Sequence, residues 1–124
     1  MSALVGKLDT PPVVKWLDQR KHLSAVMDLE AAAARDHRRI YEGSEWTVGG
    51  FREFLRGGAG LVALNANGTV VGFAVYTPRG REIHVAKIVA QSRVAENALL
   101  AALWTTLKNN AKEFMSLPLV LELD

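Results

Sequence analysis

The sequence predicts one α/β (α+β) domain with a mixed, mainly antiparallel sheet flanked by helices. Three observations carry this. Two apolar runs, Leu61 to Leu64 and Val70 to Tyr76, are joined by Asn65-Ala66-Asn67-Gly68. Asn-Gly marks a tight hairpin because both residues tolerate positive φ. A third run, Glu82 to Ala90, is apolar on both faces apart from His84 and Lys87, as in a central strand covered by helices. An amphipathic helix and a last strand follow it, the order of a right-handed parallel crossover.

Each element has a local reason. Residues 1–11, ending at Pro11-Pro12, read as a flexible lead, since successive prolines favour extended backbone and stop helix. The domain then runs from residue 12 to residue 124. Val13 to Leu17 forms a first strand, with Val14 and Trp16 on one face. From about Gln19 to Arg39 the pattern is helical: Leu23, Val26, Met27, Glu30 and Ala34 fall on or near one stripe, and Ala31 to Ala34 favour helix. Tyr41 to Trp46 is polar, contains Gly43 and reads as a loop. Thr47 caps a short helix over Val48 to Arg56, whose apolar face is Phe51, Phe54 and Leu55. Gly57-Gly58-Ala59-Gly60 ends it. Pro78-Arg79-Gly80 turns the chain into the Glu82 strand. A helix from about Val94 to Phe114 buries Leu99, Leu103, Leu107 and Ala111, flanked by Leu100 and Trp104. Ser116-Leu117-Pro118 breaks it, and Leu119 to Leu123 is the last strand. The order is β-α-α-β-β-β-α-β.

Composition narrows the function classes. At 124 residues the chain holds one core, and 49% apolar with 23% charged residues is ordinary for a globular protein. A net charge of +2 argues for neither nucleic acid nor an acidic membrane. The basic cluster Arg35-Asp36-His37-Arg38-Arg39 reads as a solvated helix end. The absence of cysteine excludes disulfides, thiol catalysis and Cys-ligated zinc. His22 and His37 have no partners at metal spacing, so no metal site is expected. No apolar run reaches membrane-spanning length and no signal peptide is visible, so the expected location is cytoplasmic.

Several ordered stretches carry a family likeness: Val26-Met27-Asp28-Leu29-Glu30; Trp46-Thr47 with Phe51; Val70-Val71-Gly72-Phe73-Ala74-Val75-Tyr76; Glu82-Ile83-His84-Val85 through Ala90; Ala98-Leu99-Leu100; and Leu119-Val120-Leu121-Glu122-Leu123. Together, over roughly residues 12 to 124, they resemble the GNAT acetyltransferase superfamily, and within it the ribosomal-protein-alanine N-acetyltransferase branch. The resemblance implies an N-acetyltransferase that moves acetyl from acetyl-CoA to a primary amine, such as a protein N-terminus. It implies that backbone groups of Ile88, Val89 and Ala90 bind the pantetheine arm. Gln91, Ser92, Arg93, Val94, Ala95 and Glu96 then bind the diphosphate through N–H groups at a helix start. It places Glu122 where that branch has its general base.

The sequence departs from the family pattern in two places. The family loop is Gln/Arg-x-x-Gly-x-Gly/Ala; here Gln91 matches, but Val94 and Glu96 fill the glycine positions, and the loop is shorter. Val94 adds bulk where backbone approaches the ligand. Glu96 sets a carboxylate near an anionic group, a repulsion of roughly 1 kcal/mol or more; Arg93 offsets part of it. A glutamate in a first helical turn is equally a stabilising choice for the helix dipole. The expected fold also lacks the family's C-terminal helix and strands, and with them the tyrosine that protonates the leaving thiolate. The alternative to an enzyme is therefore a non-catalytic GNAT-fold binding or assembly module. In either case the last strand is left without its usual flank, so Leu119 to Leu123 is expected to pair with a second copy, as a homodimer, or with a partner.

Among the remaining polar and aromatic residues, His84 reads as a hydrogen-bonded core histidine, with a proton relay as the alternative. Lys87 either snorkels to an edge or meets a CoA phosphate. Trp46 and Phe51 read as a core anchor.

Overall fold

The computed structural model describes residues 12–36, 46–79, 82–110 and 120–123. Within them lie strand β1 (Val13–Trp16), helices α1 (Gln19–Asp36) and α2 (Val48–Gly57), strands β2 (Ala59–Leu64), β3 (Val70–Arg79) and β4 (Glu82–Ala90), helix α3 (Arg93–Asn110) and strand β5 (Val120–Leu123). The element order is the expected one. The lead at 1–11, the ends assigned at Arg39 and Phe114, residues 41–45 of the first loop, Gly80, Ala111, Ser116-Leu117-Pro118, Leu119 and Asp124 lie outside the described residues.

The sheet runs β1-β2-β3-β4-β5. The first three pairings are antiparallel and β4–β5 is parallel, which gives the predicted meander with a parallel pair at one side. Helices cover both faces. On one, Ala95, Leu99, Leu103 and Leu107 of α3 pack on Leu61, Ala74, Tyr76, Ile83, Val85 and Ile88. On the other, Leu23, Val26 and Leu29 of α1 and Phe51 of α2 pack on Val62, Phe73, Val75 and Val89. The α3 stripe at i, i+4, i+8 follows helical periodicity, and its members are fully buried.

Helix starts are capped from the sequence. Asp18 Oδ1 accepts the Arg20 N–H at 3.0 Å, and the Asp18 N–H donates to His22 Nδ1 at 2.9 Å. Thr47 Oγ1 accepts the Gly50 N–H at 3.1 Å, as predicted for α2. The hairpin is wider than a two-residue turn: Leu64 pairs with Val70, and residues 65–69 connect them. Gly68 supplies the positive φ, at 81°, while Asn65 Oδ1 accepts the N–H groups of Asn67 and Thr69.

Val14 is half-buried against the α3 layer, while Trp16, two residues on at the edge strand, is 63% exposed. One expectation is corrected. β2 begins at Ala59, inside the run taken to end the second helix. Gly60 belongs to the sheet as the register partner of Val75, and its carbonyl accepts the Leu17 N–H at 2.9 Å; a Cβ there would meet Leu17 Cδ1 at 2.9 Å.

Candidate functional site

β4 changes character along its length. Val75 pairs with Lys87 and Tyr76 with Val85, so Ala86 is an extra residue, a one-residue bulge. Ahead of it Ile83 and Val85 face α3; beyond it Ile88 and Ala90 do. Ala86 and Val89 face the α1 side, as does Lys87, the register partner of Val75. The bulge thus sets two successive residues, Ala86 and Lys87, on the α1 face.

The pairing with β5 changes at the same place. Glu82, Ile83, His84 and Val85 pair with Val120, Leu121, Glu122 and Leu123. Beyond the bulge, residues 87–90 pair with β3 alone among the described strands. The edge they leave leads directly to α3. Gln91 and Ser92 are the whole connection, and Arg93 to Glu96 form the first helical turn rather than a loop. Three N–H groups of this stretch are already used: Gln91 donates to Val71 O, Ala95 to Ser92 Oγ and Glu96 to Ser92 O. Those of Ser92, Arg93 and Val94 have no acceptor among the described residues, as the opening turn of a helix requires. Val94 is 51% exposed, so its side chain leans into solvent instead of filling the turn. Glu96 is half-buried, and no ion pair joins it to Arg93.

The sequence-predicted cofactor residues therefore fall into one continuous path. Ile88, Val89 and Ala90 lie on the singly paired edge, and Gln91 to Glu96 lie on the turn and helix start that follow. Glu122 lies apart from them, on β5, as the register partner of His84. His84 Nε2 is 2.9 Å from Glu82 Oε2, and the two side chains are 19% and 39% exposed. The hydrogen-bonded reading of His84 is thereby met, at the sheet surface rather than deep in the core. Among the described residues no group of His, Asp and Glu could hold a metal ion, and no helix is long and apolar enough to cross a membrane.

Lys87 neither snorkels to an edge nor lies open to a phosphate. It is 1% exposed and its Nζ lies 2.5 Å from Glu30 Oε2, itself fully buried on α1. The same oxygen accepts the Trp46 N–H at 2.8 Å, and Lys87 Nζ stands 5.2 Å from the Trp46 ring centroid. Trp46 meets Phe51 and Phe54 at 4.9 and 5.3 Å, the anchor expected of it. The sequence reading placed Glu30 in an apolar stripe and Lys87 on an apolar strand without joining them. The usable signal was one charge of each sign, each set among apolar neighbours on its own element.

No protein-family model and no curated protein matches the sequence. Solved structures do. A ribosomal-protein-alanine N-acetyltransferase from Brucella melitensis is similar over 93% of this chain and 82% of its own, with 18% identity and a TM-score of 0.62. A GNAT superfamily phosphinothricin acetyltransferase from Sinorhizobium meliloti, in complex with AcCoA, is similar over 81% of this chain and 61% of its own, at 16% identity and a TM-score of 0.63. A protein of Enterococcus faecalis, named as a probable N-acyltransferase, matches over 79% of this chain but only 25% of its own, at 13% identity and a TM-score of 0.63. The chain thus spans less than two thirds of the last two. These likenesses lie between 13% and 18% identity and are of architecture: the chain has the fold of the GNAT acetyltransferases.

Proposed function

We propose that this chain binds acetyl-CoA along β4 and the start of α3 and transfers the acetyl group to a primary amine, a protein N-terminus being the acceptor class suggested by the similarity to the Brucella enzyme. The observation that carries this reading is the strand that, among the described residues, is paired on one side only: the edge at Ile88, Val89 and Ala90 runs straight into a helix N-terminus whose first N–H groups have no acceptor among those residues. An extended, amide-bearing arm ending in a diphosphate suits such a site. The strand edge matches the amides, and the helix start matches the anion.

The residues fit the group. Backbone of Ile88, Val89 and Ala90 would hold the arm; the N–H groups of Ser92, Arg93 and Val94, with the Arg93 charge, would hold the diphosphate. Gln91 anchors the turn through Val71, and Ala95 and Glu96 continue the helix that aims it. Acetyl-CoA, when bound, supplies the acetyl group as an activated thioester. Glu122 is the residue we assign to take the amine proton, and the Glu82-bound His84 is its neighbour in register.

The Val94 and Glu96 substitutions favour a second reading, a non-catalytic module of the same fold. A thermal shift with acetyl-CoA and CoA separates the two. Ligand at a hundred times its Kd stabilises by about 2.7 kcal/mol and raises Tm visibly. No shift at millimolar ligand sinks the acetyltransferase reading. Given binding, Glu122→Gln should slow turnover and spare affinity; equal rates remove Glu122 from the mechanism. We also assign β5, outermost in the described sheet, to pairing with a second copy. Monomer mass by light scattering at high concentration would refute that.

A further inference from the structure

Glu30 and Lys87 lie 57 positions apart in sequence and meet in the core. Glu30 Oε2 takes two donors, the Lys87 ammonium and the Trp46 N–H, while its Oε1 is buried with no hydrogen-bond partner. One carboxylate oxygen therefore ties together α1, the entry to α2 and the bulge of β4. Lys87 is the residue just after the extra Ala86, and without the bulge strict alternation would turn it to the α3 face. There it would enter the hydrophobic layer that includes Leu99 and Leu103.

We propose that the Glu30–Lys87 pair is the positioning element for the cofactor edge. By holding Lys87 on the α1 side it fixes the bulge at Ala86, and so fixes which backbone groups of Ile88 to Ala90 face away from β3. Neither residue touches the cofactor; both act through the register of the strand. This rests on the acetyl-CoA reading only for its consequence, since the claim about register needs no ligand. The opposing account is that the apolar pattern of β4 alone sets the bulge, and that the pair merely satisfies two buried charges.

The test is the double variant E30M/K87M, which removes both charges at similar volume. Cross-strand amide NOEs between β3 and β4 report the register, and titration with CoA reports affinity. We expect the double variant to fold cooperatively, to lose the NOEs that pair Val75 with position 87, and to bind CoA at least tenfold more weakly. Wild-type NOEs in the folded double variant overturn the proposal, as does lost register with unchanged affinity. Should E30M/K87M fail to fold, E30D decides: it keeps both charges and shortens the reach by one methylene. Exchange broadening at the Ala86 and Lys87 amides with several-fold weaker CoA binding supports the proposal; unchanged signals and affinity overturn it. K87R, which keeps a cation at the carboxylate, should stay within threefold of wild type. If wild-type protein does not bind CoA, the cofactor reading fails by itself, and the NOE pattern still decides the claim about register.

Discussion

Gly72 and Leu99 face each other between β3 and α3: a Cβ on Gly72 would stand 3.1 Å from Leu99 Cδ1 and 3.1 Å from the Val89 carbonyl oxygen. Leu99 can shift its terminal methyl, but the carbonyl belongs to the β3–β4 ladder and has no such freedom. Gly72→Ala should therefore destabilise the fold by about 1–3 kcal/mol, as overpacking does. Urea denaturation measures it. A neutral result would mean that the helix rides outward at no cost.

Breaking the buried ion pair from one side should cost far more than removing it. Lys87→Met leaves the Glu30 carboxylate buried and uncompensated, a loss of about 3–5 kcal/mol. Adding Glu30→Met should restore most of it, because the removed charges no longer need solvation. Urea midpoints of the two singles and the double close the cycle. Additive losses would show that the two residues do not interact.

Tyr76 gives the fold an alkaline dependence. Burial raises its hydroxyl above the usual 10.0, and a side-chain bond to Thr106 pulls the other way. The unfolded chain therefore loses this proton first. Its contribution is complete below pH 10 and is lost as the pH rises through the higher folded value. Tyr76→Phe should flatten this part of the stability profile between pH 9 and the top of the range. Identical slopes in the two proteins would place the dependence elsewhere.

Glu96 should act against the anionic cofactor from the first turn of α3. Glu96→Gln removes roughly 1 kcal/mol of repulsion, and CoA affinity should rise about fivefold at low salt. The gain should shrink toward nothing near 1 M salt, where the screening length is about 3 Å. Calorimetric titration at both salt concentrations checks the pair of values. A salt-independent change would point to helix capping instead of charge.

Most of the fold was legible because its signals are local. Thr47 capping α2, Gly68 in the hairpin and the Leu99-Leu103-Leu107 stripe each follow from a few neighbouring residues. The line of cofactor residues from Ile88 to Glu96 was legible as a segment. That Gln91, Ala95 and Glu96 have spent their N–H groups was not, since it depends on the Val71 carbonyl and on how Ser92 turns. The bulge was hidden for a related reason. Glu82 to Ala90 looks evenly apolar, and only the partners on β3 reveal where its alternation breaks. Lys87 stood out on an apolar strand while Glu30 passed as a member of a helical stripe, because what explains one lies far along the chain from the other.

Ala86 carries one methyl group, and its place in β4 is a matter of count rather than of size. Its deletion would set Lys87 directly after Val85 and splice the two halves of the strand into one unbroken alternation. Ile83, Val85, Ile88 and Ala90 would still face α3, and Lys87 and Val89 would still face α1. Tolerance to substitution and tolerance to deletion therefore coincide here: many small residues should serve at position 86, and so should a strand one residue shorter.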